Sequence, residues 1–191
     1  MNFLSMRWVY ALAQLNILML CLALSGGFVM QFVLHEIPCP LCYLQRIAMM
    51  VCAVALSSIV YAARGTSSMR DSVASGYGLA CLAAMAGACV STRQILLHVL
   101  PGDPGFGTAV LGLHLYTWGL VVFFLQVVAA ACVLISCKHG DADFLPAYGG
   151  AQKWLMGLVC AVIVGNLLSV FAAAGWNWGL PADPVQYLLF K

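Results

Sequence analysis

An all-α, polytopic transmembrane helix bundle is the fold this sequence predicts, on three observations. Only 7% of the 191 residues are charged and 64% are hydrophobic, whereas a soluble domain carries roughly 25% charged residues. The few charges leave five long uncharged windows between them. The lysines and arginines gather on alternate connectors, as they do in chains threaded back and forth through a bilayer. A net charge of +2 with no basic run gives no footing for a nucleic-acid partner; the surrounding partner is membrane lipid.

The windows lie between Arg7 and Glu36 (His35 neutral), Arg46 and Arg64, Asp71 and Arg93, Asp103 and Lys138, and Lys153 and Asp183. Each is near or above the roughly 17–25 residues that cross a hydrocarbon core as a helix. Unpaired backbone groups are too costly in lipid for irregular chain, so helices are expected at about 8–34, 43–62, 73–92, 113–137 and 154–175. The first is too long for a signal peptide and lacks a convincing small-residue cleavage site, so it is expected to stay as an anchor.

Arg64 and Arg70 fall between the second and third helices, Lys138 and Lys153 between the fourth and fifth, and Arg7 before the first. The opposite side has Arg93 and Lys191. Positive residues mark the cytoplasmic face, which places the amino terminus inside. Loops 35–42 and 93–112 and the tail 176–191 of this single membrane domain then lie outside. In a bacterium that is the periplasmic side of the inner membrane, where disulfides form and persist.

Within this frame the third helix, with Ala80, Ala83, Ala84, Gly87 and Ala88, is expected to pack closely on its neighbours, because small residues let helices approach in lipid. The stretch Pro101-Gly102-Asp103-Pro104-Gly105-Phe106-Gly107 is turn chemistry; its glycines follow no strand and form no nucleotide loop. Trp176 to Pro181 and Tyr187 read as an interfacial segment.

Nine cysteines occur, and two have a chemical arrangement. Cys21, Cys52, Cys81, Cys89, Cys132 and Cys160 fall inside apolar spans and Cys137 at the inner end of the fourth, where cysteine serves as a small hydrophobe. Cys39 and Cys42 are different. Pro38 and Pro40 stop any preceding helix, and proline is tolerated in a first turn, so the second helix should begin near Pro40 or Leu41 with Cys42 in its opening turn. Free N–H groups and the helix dipole there favour an anion such as a thiolate. Arg46, four residues on, shares that face and adds a fixed cation, and a Cys-x-x-Cys pair closes readily into a disulfide.

Other uses of these residues remain open at this stage. The pair could be a static disulfide, or with His35 a copper or zinc site. Arg46 could snorkel to headgroups. His98, His114 and Glu36 are expected to be loop or interfacial residues, with Glu36 close enough to the dithiol to deliver protons.

Pro38-Cys39-Pro40-Leu41-Cys42-Tyr43-Leu44-Gln45-Arg46, Arg93 followed by Leu97 and Leu100-Pro101, and Leu111-Gly112-Leu113 with Trp118 resemble the disulfide bond formation protein B family, over roughly residues 8–137. The resemblance implies a membrane thiol:quinone oxidoreductase that supports disulfide bond formation. Electrons would pass from periplasmic dithiols through a Cys39–Cys42 disulfide to a ubiquinone or menaquinone, as in the relay that keeps the periplasm oxidising. It further implies catalytic roles for Cys42 beside the quinone and for Cys39 as the partner-exchanging sulfur, with Arg46 binding the quinone. Cys39 is expected on the exposed side. The redox partner would be a thioredoxin-like thiol oxidase or a dedicated dithiol protein.

Two departures stand out. The second outer loop carries no cysteine, whereas family members usually have a second pair there, and a fifth helix follows the family's usual four. A metal-binding subunit and a non-enzymatic assembly subunit are the alternatives on the same scaffold.

Overall fold

The computed structural model describes residues 5–65, 67–136, 146–177, 184 and 186–190. Five helices carry the chain: α1 (Met6–Phe32), α2 (Pro40–Ala62), α3 (Met69–Leu97), α4 (Leu115–Ser136) and α5 (Gly150–Ala174), followed by a short 3-10 turn, Leu188–Phe190. No strand occurs among the described residues; a lone bridge pairs Val110 with Leu113 in the α3–α4 loop. All five helices are long and apolar enough to cross a membrane.

The helix ends follow local chemistry more closely than they follow the charge windows. α2 starts at Pro40, whose missing N–H costs nothing at a first helical position. Cys39 caps it, its sulfur accepting the Cys42 N–H at 3.3 Å. α3 runs well past the expected 73–92 at both ends: Ser68 caps it, Asp71 sits favourably in its first turn, and the helix continues through Arg93. Its 29 residues span roughly 43 Å at about 1.5 Å per residue, more than the ~30 Å hydrocarbon core. The final turns, carrying Gln94, therefore stand level with the start of α2.

α2 is the central helix: 61% of its apolar window is buried, against 22% for α5 at the periphery. It packs on α1, α3 and α5 and more lightly on α4, around Ile17, Leu20 and Leu24 of α1, Leu56 and Ile59 of its own, Tyr77 and Ala80 of α3, and Phe123 of α4. Small residues on α3 set the close approaches, as the sequence leads one to expect. A Cβ on Gly76 would lie 2.9 Å from the Ala55 carbonyl oxygen of α2, and one on Gly87 would overlap the Phe123 ring of α4.

Of the cysteines read as small hydrophobes, Cys21 and Cys52 are buried, Cys81 is half-buried, and Cys89, Cys132 and Cys160 lie on the outward helix surface. An apolar surround of lipid serves them as a core would. Cys137 lies outside the described residues. Of the tail read as interfacial, residues 178–183 also lie outside them; Trp176 is exposed and packs edge-on against Phe171.

Gly87→Ala should lower the melting temperature in detergent, since overpacking costs about 1–3 kcal/mol. Gly78→Ala, whose new methyl meets nothing within 4 Å, should leave the melting temperature unchanged or slightly higher. Equal behaviour of the two variants would contradict this packing.

Candidate functional site

The dithiol sits where α2 begins. With Cys39 as the cap and Cys42 one turn in, the two sulfurs are 2.9 Å apart. The α3 residue Gln94, 1% exposed, points its amide at both: Nε2 donates to the Cys39 sulfur at 3.3 Å and to the Cys42 sulfur at 3.4 Å. Gln45 of α2 holds that amide from behind, its Nε2 donating to Gln94 Oε1 at 2.8 Å. The elongated end of α3 thus delivers a neutral N–H donor to the two sulfurs.

One expectation is corrected here. Cys39 is not the exposed sulfur: it is 6% exposed, whereas Cys42 keeps part of its surface open. The capping geometry is the reason, because the Cys39 side chain turns back over the first turn of α2 to accept the Cys42 N–H. The hydrogen bond with Cys42, and then burial, push the Cys39 thiol well above the usual range.

Arg46 is 8% exposed, and its hydrogen bonds run to α1. Nη1 donates to Gln31 Oε1 at 2.8 Å and Nη2 to the Gly27 carbonyl at 2.9 Å. The guanidinium lies flat on Gly27, where an added Cβ would come within 3.0 Å of Nη2, and the rings of Tyr43 and Phe28 stand 5.5 and 6.0 Å from Cζ, positions suited to cation–π attraction. This is no snorkelling arginine. The hydrogen bonds to the sulfurs come from Gln94 and the Cys42 N–H, and Arg46 supplies a buried positive charge to their neighbourhood.

Cys42, Gln45 and Arg46 line one cleft with Leu24, Met30, Met49 and Leu115, about 690 Å³ including the part open to solvent. Its mouth is formed by Glu36 to Pro38 and by Phe106 to Thr108 of the α3–α4 loop. Glu36, read as a loop acid, ties these two loops together: its carboxylate accepts the Thr108 N–H at 2.8 Å and also the Thr108 hydroxyl. The glycine-rich loop turns through Gly102, Gly105 and Gly107, all at positive φ, as turn chemistry predicts, and it also builds a wall of the cleft. His98 and His114 stack on either side of Tyr116 at 5.8 and 5.2 Å, and His98 pairs with Asp103 at 3.1 Å. His35 is exposed, at φ 56° in the chain reversal after α1. Among the described residues no three of His, Cys, Asp and Glu are grouped to hold a metal ion, so His35, Cys39 and Cys42 form no preformed metal centre.

Sequence reasoning missed Gln31, Gln94, Ser169 and Tyr187. For the two glutamines a signal was available, since a carboxamide near the end of an apolar span is costly in lipid unless it has work to do; Ser169 and Tyr187 carried none.

Fold and site together define a multi-pass membrane protein with a pair of close thiols at one helix end. The family model for disulfide bond formation protein DsbB matches residues 7–106, and the chain belongs to that family. Among its relatives are disulfide bond formation protein B 1 of Pseudomonas syringae pv. syringae, 33% identical over 147 residues (60% of this chain, 84% of that protein). The same-named protein of Pseudomonas fluorescens is 34% identical over 140 residues, 57% of this chain and 80% of that one. Disulfide bond formation protein B of Chromobacterium violaceum is 41% identical over 81 residues, 42% of this chain and 46% of that protein. No solved structure matches. The family match ends at residue 106, so α4, α5 and the tail lie beyond it.

The raised Cys39 thiol has a definite sign. An unfolded cysteine loses its proton near pH ~8.5 while folded Cys39 keeps it, so in the reduced protein its contribution to stability is intact below that pH and is lost as pH rises. Iodoacetamide should therefore modify Cys42 before Cys39 in the reduced protein. The melting temperature should fall more steeply above pH ~9 than that of Cys39→Ala. A Cys39 alkylated at pH 7 as fast as Cys42 would contradict this.

Proposed function

We propose that the protein is a membrane thiol:quinone oxidoreductase that supports disulfide bond formation, with its dithiol facing the periplasm from a bacterial inner membrane. The observation that carries this reading is the placing of Cys42, 2.9 Å from Cys39, on the wall of the same cleft as Arg46.

The cleft suits a quinone. Its lining has the make-up of a small-molecule site, apolar walls with a few placed polar groups. Leu24, Met30, Met49 and Leu115 would take the ring and the start of an isoprenoid tail, and Arg46 would hold a ring carbonyl oxygen. Bound there, a ubiquinone or menaquinone supplies an acceptor for two electrons and two protons.

The chain's own residues perform the thiol chemistry. In the oxidised state a thiolate of the partner, a thioredoxin-like thiol oxidase or a dedicated dithiol protein, attacks the Cys39 sulfur. The Cys39–Cys42 bond breaks and Cys42 leaves as a thiolate. The Gln94 N–H, aimed at that sulfur, is a donor of the kind that strengthens when its acceptor is charged. The partner's second thiol then attacks the mixed disulfide, releasing Cys39 and an oxidised partner. Cys39 keeps the proton of that second thiol and Cys42 regains from solvent the one shed by the first, so the partner's two electrons lie on the pair; their transfer with two protons to an acceptor bound in the cleft would re-form the Cys39–Cys42 bond. The burial of Cys39 requires an incoming thiolate to displace its cover before exchange, which favours a partner that docks over a small thiol that diffuses in.

Purified protein supplied with a reduced thioredoxin-like dithiol protein, or less efficiently with dithiothreitol, and with ubiquinone-1 should reduce the quinone, read as loss of its ultraviolet absorbance. Cys39→Ser and Cys42→Ser should each abolish turnover. Arg46→Ala should raise the quinone KM tenfold or more, the loss of a charged hydrogen bond worth about 1.5–3 kcal/mol. Absence of thiol-dependent quinone reduction by the unaltered protein, or full activity of Cys39→Ser, would overturn the reading.

A further inference from the structure

α5 and the tail lie beyond the segment that matches the family, residues 7–106, yet both reach the polar cluster that holds Arg46. Ser169 on α5, 3% exposed, donates its hydroxyl to Gln31 Oε1 at 2.8 Å. Tyr187 in the tail accepts from Gln31 Nε2 through its phenol oxygen at 3.1 Å. Gln31 itself is 1% exposed, and its Oε1 also takes the Arg46 Nη1 at 2.8 Å.

Arg46, which can only donate, decides which way the Gln31 amide faces: a carboxamide turned by half a rotation would set its NH2 against the guanidinium, donor against donor. Ser169 and Tyr187, one hydroxyl on each end of the amide, then hold the group in place in that orientation. A second contact from the same helix bears on the same cation. Gly165, four residues before Ser169 and so on the same face, leaves room for the Phe28 ring, which a Cβ there would approach to 3.0 Å. That ring stands 6.0 Å from Arg46 Cζ.

We propose that Ser169 and Tyr187 are positioning residues: by locking the Gln31 amide they hold the Arg46 guanidinium at the cleft, so that α5 and the tail set the affinity of the quinone site. This rests on the reading of Arg46 as the group that holds the quinone. It gives the fifth helix a role in the chemistry that a membrane anchor alone would not have. Neither residue touches the sulfurs, so the thiol half of the reaction should not depend on them.

The test compares the unaltered protein with Ser169→Ala, Tyr187→Phe, the double variant and Ser169→Thr, which keeps a hydroxyl. Without any quinone, phenylglyoxal should modify Arg46 severalfold faster in the double variant, with Arg64 and Arg93, both exposed, reacting at unchanged rates as internal controls. With ubiquinone-1, the double variant should show a KM raised fivefold or more, while kcat and the rate of Cys39–Cys42 reduction by dithiothreitol stay within twofold. Ser169→Thr should behave as the unaltered protein does. If the double variant unfolds, the single variants give the same comparison. Unchanged phenylglyoxal reactivity of Arg46 would overturn the inference, as would an unchanged quinone KM in variants when Arg46→Ala does raise it. Faster Arg46 modification in a protein that never reduces quinone would support the clamp and sink the quinone reading instead.

Discussion

A guanidinium cannot lose its proton inside a protein, and apolar side chains give it nothing to bond, so burying Arg46 obliges the surrounding helices to supply acceptors. That obligation organises this end of the molecule. Gly27 gives its carbonyl and, by lacking a side chain, the flat floor on which the cation rests. Gln31 gives its amide oxygen and is itself fixed by α5 and the tail. α1, α2 and α5 are thereby tied at one point, and the cleft beside Cys42 is bounded by what this tie holds in place.

The sulfur pair is served from the opposite flank. α3 outruns the thickness of a membrane core, and its surplus turns bring Gln94 against both sulfurs, with Gln45 steadying the amide. Two carboxamides, one beneath the cation and one beneath the sulfurs, do the local polar work, and among the described residues no carboxylate bonds to either. The cysteine-free loop between α3 and α4 contributes a wall of the cleft. Glu36 staples it to the loop between α1 and α2, so the two connectors close over the dithiol as one surface.

Much of this was legible in the sequence, and the limits have physical causes. Uncharged windows disclosed five spans because a charge in lipid is expensive, but they reported where charge stops and not where the helix does; hence the extra turns of α3 through Arg93. Pro40 placed the start of α2, and four-residue spacing placed Arg46 on the face of Cys42. The side chains that satisfy Arg46 and the sulfurs were hidden because the bonds join positions far apart in the chain, such as Gln31 with Ser169 and Tyr187, and no local spacing encodes such a meeting. The exposure of Cys39 was misjudged because position outside a helix suggests access, whereas a capping side chain folds back over the helix it caps.

The central claim is that the cleft bounded by Cys42 and Arg46 is where a quinone binds. The most direct measurement is photolabelling of the membrane-embedded protein with an azido-ubiquinone analogue, followed by peptide mapping. The account predicts label on residues around the cleft, Met30 of α1 and Met49 of α2 among them, displaced by excess ubiquinone-1 and lost in Arg46→Ala. Label confined to other surfaces of the bundle, or label on the cleft that persists undiminished without the arginine, would contradict it.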